Sequence, residues 1–215
     1  MMARYDAQGI EAEFEPGSRH RVLRNLPGIR SIREMQRAES AALLSATNQL
    51  IDETTETQRF VAAGVCNIHK RWLGEIYSWA GEYRSVNVAK GDFMFAASGQ
   101  IPHLMRELEQ GPLRDYTPCR FGVIQQQEEA LAVVHAELIL IHPFREGNGR
   151  CARVLATLMA LQAGLPPLDF SGVEGKEKHR YIMAIHAAMG RNYAPMKELF
   201  QRVIDRSLRA SRNKR

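Results

Sequence analysis

Along most of this chain apolar residues return every three or four positions, the spacing of a helix with one buried face. The first such stripe follows Ser31 through Ile32, Met35, Ala38, Ala42, Leu43 and Leu50, and Ser31 with Glu34 three residues on has the form of a capping box. A second runs from Gln58 to Leu73 through Phe60, Val61, Val65, Ile68 and Trp72, and Ile76 to Ala80 carries the apolar content past Gly74. After Gly81 the period shortens towards two. Tyr83, Ser85, Asn87 and Ala89 alternate with Arg84, Val86, Val88 and Lys90, then Lys90-Gly91-Asp92 reads as a turn and Phe93-Met94-Phe95 as a returning strand. Helical spacing resumes over 101–108, 123–141, 149–163, 175–189 and 195–208, broken by Pro112, Pro118, Pro143, Gly164, Pro166-Pro167 and Gly190. One hairpin cannot found a sheet, so the pattern predicts a mainly α fold, a single helical bundle with a short β-hairpin on its surface. Residues 1–30, with Gly9, Pro16, Gly17, Pro27 and Gly28 among scattered charges, read as an irregular arm whose apolar patches, such as Val22-Leu23, pack on the body. The bundle domain covers 31–205, and 206–215 form a basic tail.

Composition narrows the class. With 215 residues, 45% of them hydrophobic, the chain can bury one core and does not suit two independent domains. The net charge of +5 arises in the tail, where Arg206, Arg209, Arg212, Lys214 and Arg215 fall among ten residues without an acid and leave the remainder balanced. Such an end reads as solvated and frayed, so direct nucleic-acid binding is not expected. Cys66, Cys119 and Cys151 are too few and too widely spaced for a disulfide framework and fit a reducing compartment. Neither a secretory leader nor a membrane span is visible in the pattern, which predicts a soluble cytoplasmic protein with no membrane partner.

Candidate chemistry concentrates in one stretch, His142-Pro143-Phe144-Arg145-Glu146-Gly147-Asn148-Gly149-Arg150. Pro143 disfavours helical geometry at His142, which places the imidazole at a helix C-terminus, where the helix dipole favours its protonated form. His142 is therefore a candidate proton acceptor. Gly147 and Gly149 allow positive φ and let backbone N–H groups approach a ligand, and a helix starting near Gly149 would point its positive end at the same place, making an anion site. Arg150 and Arg153, three apart, are expected to converge on a polyphosphate. Glu146 between them and the histidine suits Mg²⁺, an ion that takes few protein carboxylates beside phosphate oxygens and water.

HPFREGNGR followed by Arg153 resembles the Fic family signature HPFx(D/E)GNGRxxR, with Glu146 in the acidic position. His69, IYSWAGEYR over 76–84 and VNVAKG over 86–91 resemble the family's upstream segments, and VLRNLPGI over 22–29 resembles the leader of its bacterial toxin branch. The resemblance implies transfer of AMP from ATP to a Ser, Thr or Tyr hydroxyl of a target protein. His142 would deprotonate that hydroxyl, Glu146 would hold Mg²⁺, and Gly147, Asn148 and Gly149 would line the anion hole. Arg150 and Arg153 would bind the outer phosphates, and Phe144 would anchor the loop. A family relative that transfers phosphate has Lys where this chain has Gly149, so Gly149 favours adenylyl transfer. The hairpin, through Val86, Asn87, Val88, Lys90 and Gly91, would be a flap that registers the target segment by strand pairing. The inhibitory pattern (S/T)xxxE(G/N) found in many family members has no match here, because Ser171 and Glu174 stand one residue too close. The resemblance thus implies a bacterial toxin restrained by a separate small antitoxin protein, whose inhibitory helix would bring a glutamate to Arg153. Type II topoisomerases are targets within this branch, which makes a subunit of one a candidate here.

Elsewhere the plainer readings prevail. His69 and Trp79 read as core or hairpin support, and His135, two helical turns before His142, as a packing residue behind the site. His179 and His186 share that spacing and that reading, and Tyr181 and Tyr193 read as core aromatics. Two other functions fit less of the pattern: transfer of a different nucleotide or a phosphate moiety, and a nucleotide- or nucleic-acid-binding regulator without turnover, which would need neither base nor metal ligand.

Overall fold

The predicted stripes fold as α1 (Ile32–Glu53), α2 (Ala62–Leu73), α3 (Ile101–Leu108), α4 (Ile124–Ile141), α5 (Asn148–Gln162), α6 (Gly175–Met189) and α7 (Ala194–Arg212), with β1 (Ala89–Lys90) and β2 (Phe93–Met94) between α2 and α3. This computed structural model describes residues 11, 13–91, 93–173 and 175–213, the side chains of 175 and 176 excepted. Gly9 of the arm, Asp92 of the hairpin turn, Glu174, Lys214 and Arg215 therefore lie outside the described residues. The mainly α architecture with one small antiparallel hairpin is as the spacing predicts.

α4 is the central element. Its sequence is apolar almost all round, and it is covered by α5 and α7, with α3 and α6 completing the shell. Leu131, Val134, Leu138 and Ile141 meet Leu155, Leu158 and Met159 of α5 and Phe200, Val203 and Ile204 of α7 in one core. A smaller core joins α1, α2 and the arm, with Val22, Met35, Ala46, Trp72, Ile76 and Tyr77 buried together. Val22 is buried in that core, and the Leu26 N–H donates to the Ile76 carbonyl at 2.8 Å. Among the described residues no helix is long and apolar enough to cross a membrane.

Four local expectations are corrected. α2 starts at Ala62 rather than Gln58, because Phe60 N–H donates to Thr117 Oγ and the Glu109 carboxylate accepts from Ala62 N–H at 2.7 Å, a cap supplied from another part of the chain. Pro112 does not break the chain direction: it sits in a π turn, Glu109–Leu113, that carries α3 on to Tyr116 and absorbs its missing N–H. The strands are two residues each, in register Ala89 with Met94 and Lys90 with Phe93, and the alternating stretch from Tyr83 to Val88 is irregular. The basic tail is helical as far as Arg212, since the buried stripe Met196, Leu199, Phe200, Val203, Ile204 and Ser207 carries α7 beyond Leu208.

Candidate active site

The loop between α4 and α5 is held by backbone contacts from three directions. His142 caps α4 in the left-handed conformation, φ 53° and ψ 57°, with its N–H on the Leu138 carbonyl at 3.1 Å. A residue before proline prefers extended backbone, so this conformation is strained and must be held by its surroundings. Arg84 does much of the holding. Its guanidinium donates to the carbonyls of His142 (2.8 Å), Val86 (2.6 Å) and Ala96 (2.6 Å), and its own N–H reaches the Pro143 carbonyl at 2.8 Å. Burial pushes its pKa down to about 10, partly offset by the Glu11 carboxylate, so it stays charged at neutral pH. Arg145, also buried, donates to the Glu11 carbonyl at 2.9 Å, which ties the arm to the loop.

From the opposite side His69 pins the middle of the loop. Its Nδ1 accepts from Gly81 N–H at 2.8 Å, so Nε2 carries the proton and donates to the Glu146 carbonyl at 3.0 Å. Its ring stacks on Phe144 at 3.9 Å, and Phe144 is fully buried. Burial is the main reason that the His69 pKa falls to about 4. It is support, as its spacing suggests.

The imidazole of His142 is oriented by a hydrogen bond from Nδ1 to the Ile139 carbonyl at 3.1 Å. A carbonyl can only accept, so Nδ1 bears hydrogen and the neutral ring has its lone pair on Nε2. Phe95 from the end of the flap lies parallel to the ring at 3.6 Å, and His142 is only 5% exposed. The base candidate thus sits under an aromatic cover supplied by the hairpin.

α5 begins with Gly147 as N-cap at φ 85°, without any side-chain cap, so the helix presents its N-terminal donors to the site. A Cβ at Gly149 would meet nothing within 4 Å, which leaves the approach to these donors open. Asn148 is expected among the anion-lining groups, but its side chain is used inside the loop: Oδ1 accepts from Phe144 N–H at 2.8 Å and Nδ2 donates to the Phe144 carbonyl at 2.7 Å. Only its backbone is in position to line an anion site.

Arg150 and Arg153 do not pack on the same wall. The Arg150 guanidinium lies over Trp72 at 4.4 Å and donates to Glu39 at 2.8 Å and Glu146 at 3.3 Å. Arg153 lies 5.2 Å from the Phe170 ring and 6.0 Å from Tyr181, and its buried Nε has no hydrogen-bond partner among the described residues. Behind it, His135 accepts or donates to the Tyr181 hydroxyl at 2.9 Å. Burial, aided by the charge of Arg153, depresses the His135 pKa to about 3 and keeps the ring neutral, in line with a packing role.

The flap residues divide. Val86 and Val88 are buried against Phe95, which leaves their backbone, not their side chains, to the strand pairing expected of the flap. Asn87 accepts from Ser98 N–H at 2.9 Å, while Lys90 and Gly91 stand exposed at the tip. Glu39, Tyr77, Trp72 and Arg84 are the residues that the motif does not single out. The visible signal for Glu39 is its place on the buried stripe of α1 with Met35, Ala46 and Leu50.

Glu146 is a carboxylate next to the helix N-terminus. Its Oε1 accepts from Gly147 N–H at 3.0 Å and its side chain is 12% exposed. No cluster of three or more His, Cys, Asp or Glu side chains forms a metal cage among the described residues. One carboxylate beside a phosphate site matches the habit of Mg²⁺, which arrives with phosphate and keeps most of its water, so the donor set fits that ion.

An oriented imidazole, a carboxylate and an uncapped helix start lie together on one loop of a helical fold. The sequence profile of the Fic/DOC family matches residues 59–160. The probable protein adenylyltransferase Fic of Salmonella typhimurium is 30% identical over 173 residues, 77% of this chain and 80% of that protein. Protein adenylyltransferase VbhT of Bartonella schoenbuchensis is 31% identical over 159 residues, 74% of this chain but 33% of VbhT, so this chain spans about a third of that protein's length. Among solved structures, the VirB-translocated effector BepC of Bartonella tribocorum with bound AMPPNP superposes with a TM-score of 0.71 at 26% identity, over 88% of this chain and 94% of that one. This chain belongs to the Fic/DOC family.

Proposed function

We propose that the protein transfers AMP from ATP to a hydroxyl side chain of another protein. The observation that carries this reading is the His142 tautomer, which makes Nε2 the acceptor nitrogen of a loop whose following helix starts open at Gly149. In the reaction Nε2 takes the hydroxyl proton and the hydroxyl oxygen attacks the α-phosphorus. The bond from that phosphorus to the bridging oxygen breaks, and pyrophosphate departs in line. The donors at the start of α5 receive charge developing on the α-phosphate, and the Arg153 guanidinium receives the outer phosphates. Glu146 would hold Mg²⁺, which would supply neutralisation of phosphate charge. Relatives named adenylyltransferases, and neighbours that bind AMPPNP, or ADP in a Bep effector of Bartonella quintana, support the reading.

The same site suggests how the protein is restrained. The Arg153 guanidinium would pair with an antitoxin glutamate, and a separate inhibitory protein, a toxin role and a target such as a type II topoisomerase subunit belong to this proposal. Target registration falls to the backbone of β1 and to Lys90, since Val86 and Val88 are buried. The test is incubation of protein, Mg²⁺ and bacterial lysate with ATP labelled at the α or the γ position. Protein labelled from the α position only, and lost in His142→Ala with ATP binding retained, is the expected result. Label from the γ position, or labelling that survives in His142→Ala, would overturn it.

A further inference from the structure

We propose that Glu39 is a positioning residue for the Glu146 carboxylate, acting through Arg150. It rests on the reading of Glu146 as the metal-holding group. Glu39 lies on α1, far from the loop in sequence, and is 7% exposed. One oxygen accepts from the Tyr77 hydroxyl at 2.8 Å and the other from Arg150 at 2.8 Å, while its backbone carbonyl accepts from the Trp72 indole N–H at 2.9 Å. The same Trp72 ring carries the Arg150 guanidinium on its face. Burial, then the nearby Glu39 charge, pushes the Tyr77 hydroxyl above its ordinary range, so it remains a donor. The guanidinium is thus clamped by α1, by α2 and by the turn after α2 before it meets any ligand.

The consequence concerns how one positive charge is shared. Arg150 stands between two carboxylates and is closer to Glu39, at 2.8 Å, than to Glu146, at 3.3 Å. With its charge largely matched by Glu39, Arg150 braces Glu146 without capturing it, and Glu146 can turn to a divalent cation arriving with a nucleotide. Arg150 then adds little to phosphate attraction, which falls to Arg153 and the helix start. Without the Glu39 charge, Arg150 would turn its whole charge to Glu146 and compete with the metal for that carboxylate.

Calorimetry with an ATP analogue blocked between the α and β phosphates tests this, with Mg²⁺ titrated and with chelator in its place. Glu39→Gln keeps the shape and removes the charge. It is expected to raise the half-saturating Mg²⁺ concentration about tenfold, the size of effect seen when a partner behind a metal ligand is lost. Metal-free analogue binding should not weaken, because one negative charge near the phosphates has gone. Adding Arg150→Met should return the Mg²⁺ midpoint to within about twofold of the wild type, since the competing cation is removed. A general loss of structure would instead weaken both kinds of binding and would not be rescued. An unchanged Mg²⁺ midpoint in Glu39→Gln, parallel weakening of metal-free binding, or no rescue would overturn the proposal. Should Glu39→Gln fail to fold, Tyr77→Phe, which unlatches the carboxylate but keeps its charge, must raise the midpoint about twofold to threefold; no rise would overturn it equally. A wild-type protein whose analogue binding ignores Mg²⁺ would sink the reading of Glu146 instead, a result distinct from all of these.

Discussion

Gly147→Ala is the sharpest test of how the loop is held. Gly147 caps α5 at φ 85°, and a Cβ there would stand 2.6 Å from Trp72 Cζ3, 3.0 Å from Cη2 and 3.4 Å from Leu73 Cδ1. The left-handed conformation costs an alanine about 1–2 kcal/mol. Relief of the clash costs a further ~1–3 kcal/mol, because Trp72 is buried and its indole N–H is fixed on the Glu39 carbonyl, so the ring cannot withdraw without losing that bond. The loss of stability is therefore about 2–5 kcal/mol. Gly149→Ala is the control on the same helix: its φ is not positive and its Cβ meets nothing within 4 Å. Replacing a helical glycine by alanine gains about 0.5–1 kcal/mol, so this variant should be as stable as the wild type or more so. Its methyl group should nevertheless crowd the donors at the helix start and weaken nucleotide binding. Urea unfolding of the full chain, read by its midpoint at constant slope, measures the stabilities, and calorimetry measures binding. Gly147→Ala unfolding at the wild-type midpoint would refute the close approach of Trp72, and equal losses in the two variants would refute the distinction between the glycines.

Two further outcomes follow from buried charges and rings. Arg84→Lys keeps the charge but cannot reach three carbonyls at once, so at least one of Val86, Ala96 and His142 loses its donor; the cost is about 2–4 kcal/mol, and amide exchange over 86–96 should quicken, which unchanged exchange would contradict. His69 and His135 have folded pKa values of about 4 and about 3, below the ordinary 6.5, so the unfolded chain takes up their protons first as pH falls. Stability is unaffected by them above pH 6.5 and drops by about 1.4 kcal/mol per pH unit for each ring below it, or about 4 kcal/mol for both at pH 5; a flat urea midpoint between pH 7.5 and 5 would show that neither ring is held neutral.

What was legible in the sequence depended on how local its cause is. Helix spacing identified the bundle because a buried stripe repeats along one segment, and α3 and α4 begin and end within a residue of where the pattern puts them. The start of α2 is not legible in the sequence, because its cap is a carboxylate 47 positions away and no local signal marks Glu109 as that cap. The alternation from Tyr83 to Val88 yields no strand for a similar reason. Arg84 gathers carbonyls from the loop and from both arms of the flap, and a backbone bent to serve one guanidinium cannot also be a ladder.

The site divides along the same line. His142, Phe144, Glu146 and the two glycines were legible because one contiguous loop carries them. The positions of those groups, however, are set by residues outside it: His69 fixes the Glu146 carbonyl, Arg84 fixes the strained His142 backbone, and Glu39, 111 positions from Arg150, fixes its guanidinium. A glutamate on an amphipathic helix ordinarily faces water, and only its burial beside Tyr77 and Trp72 separates Glu39 from the exposed acids of α1. Asn148 shows the reverse, since it lies inside the motif and yet both ends of its amide serve the loop. A motif marks where chemistry gathers; which of its side chains face the ligand depends on which are already used in holding the backbone, and here Asn148 and Arg150 are so used while the start of α5 and the Nε of Arg153 are not.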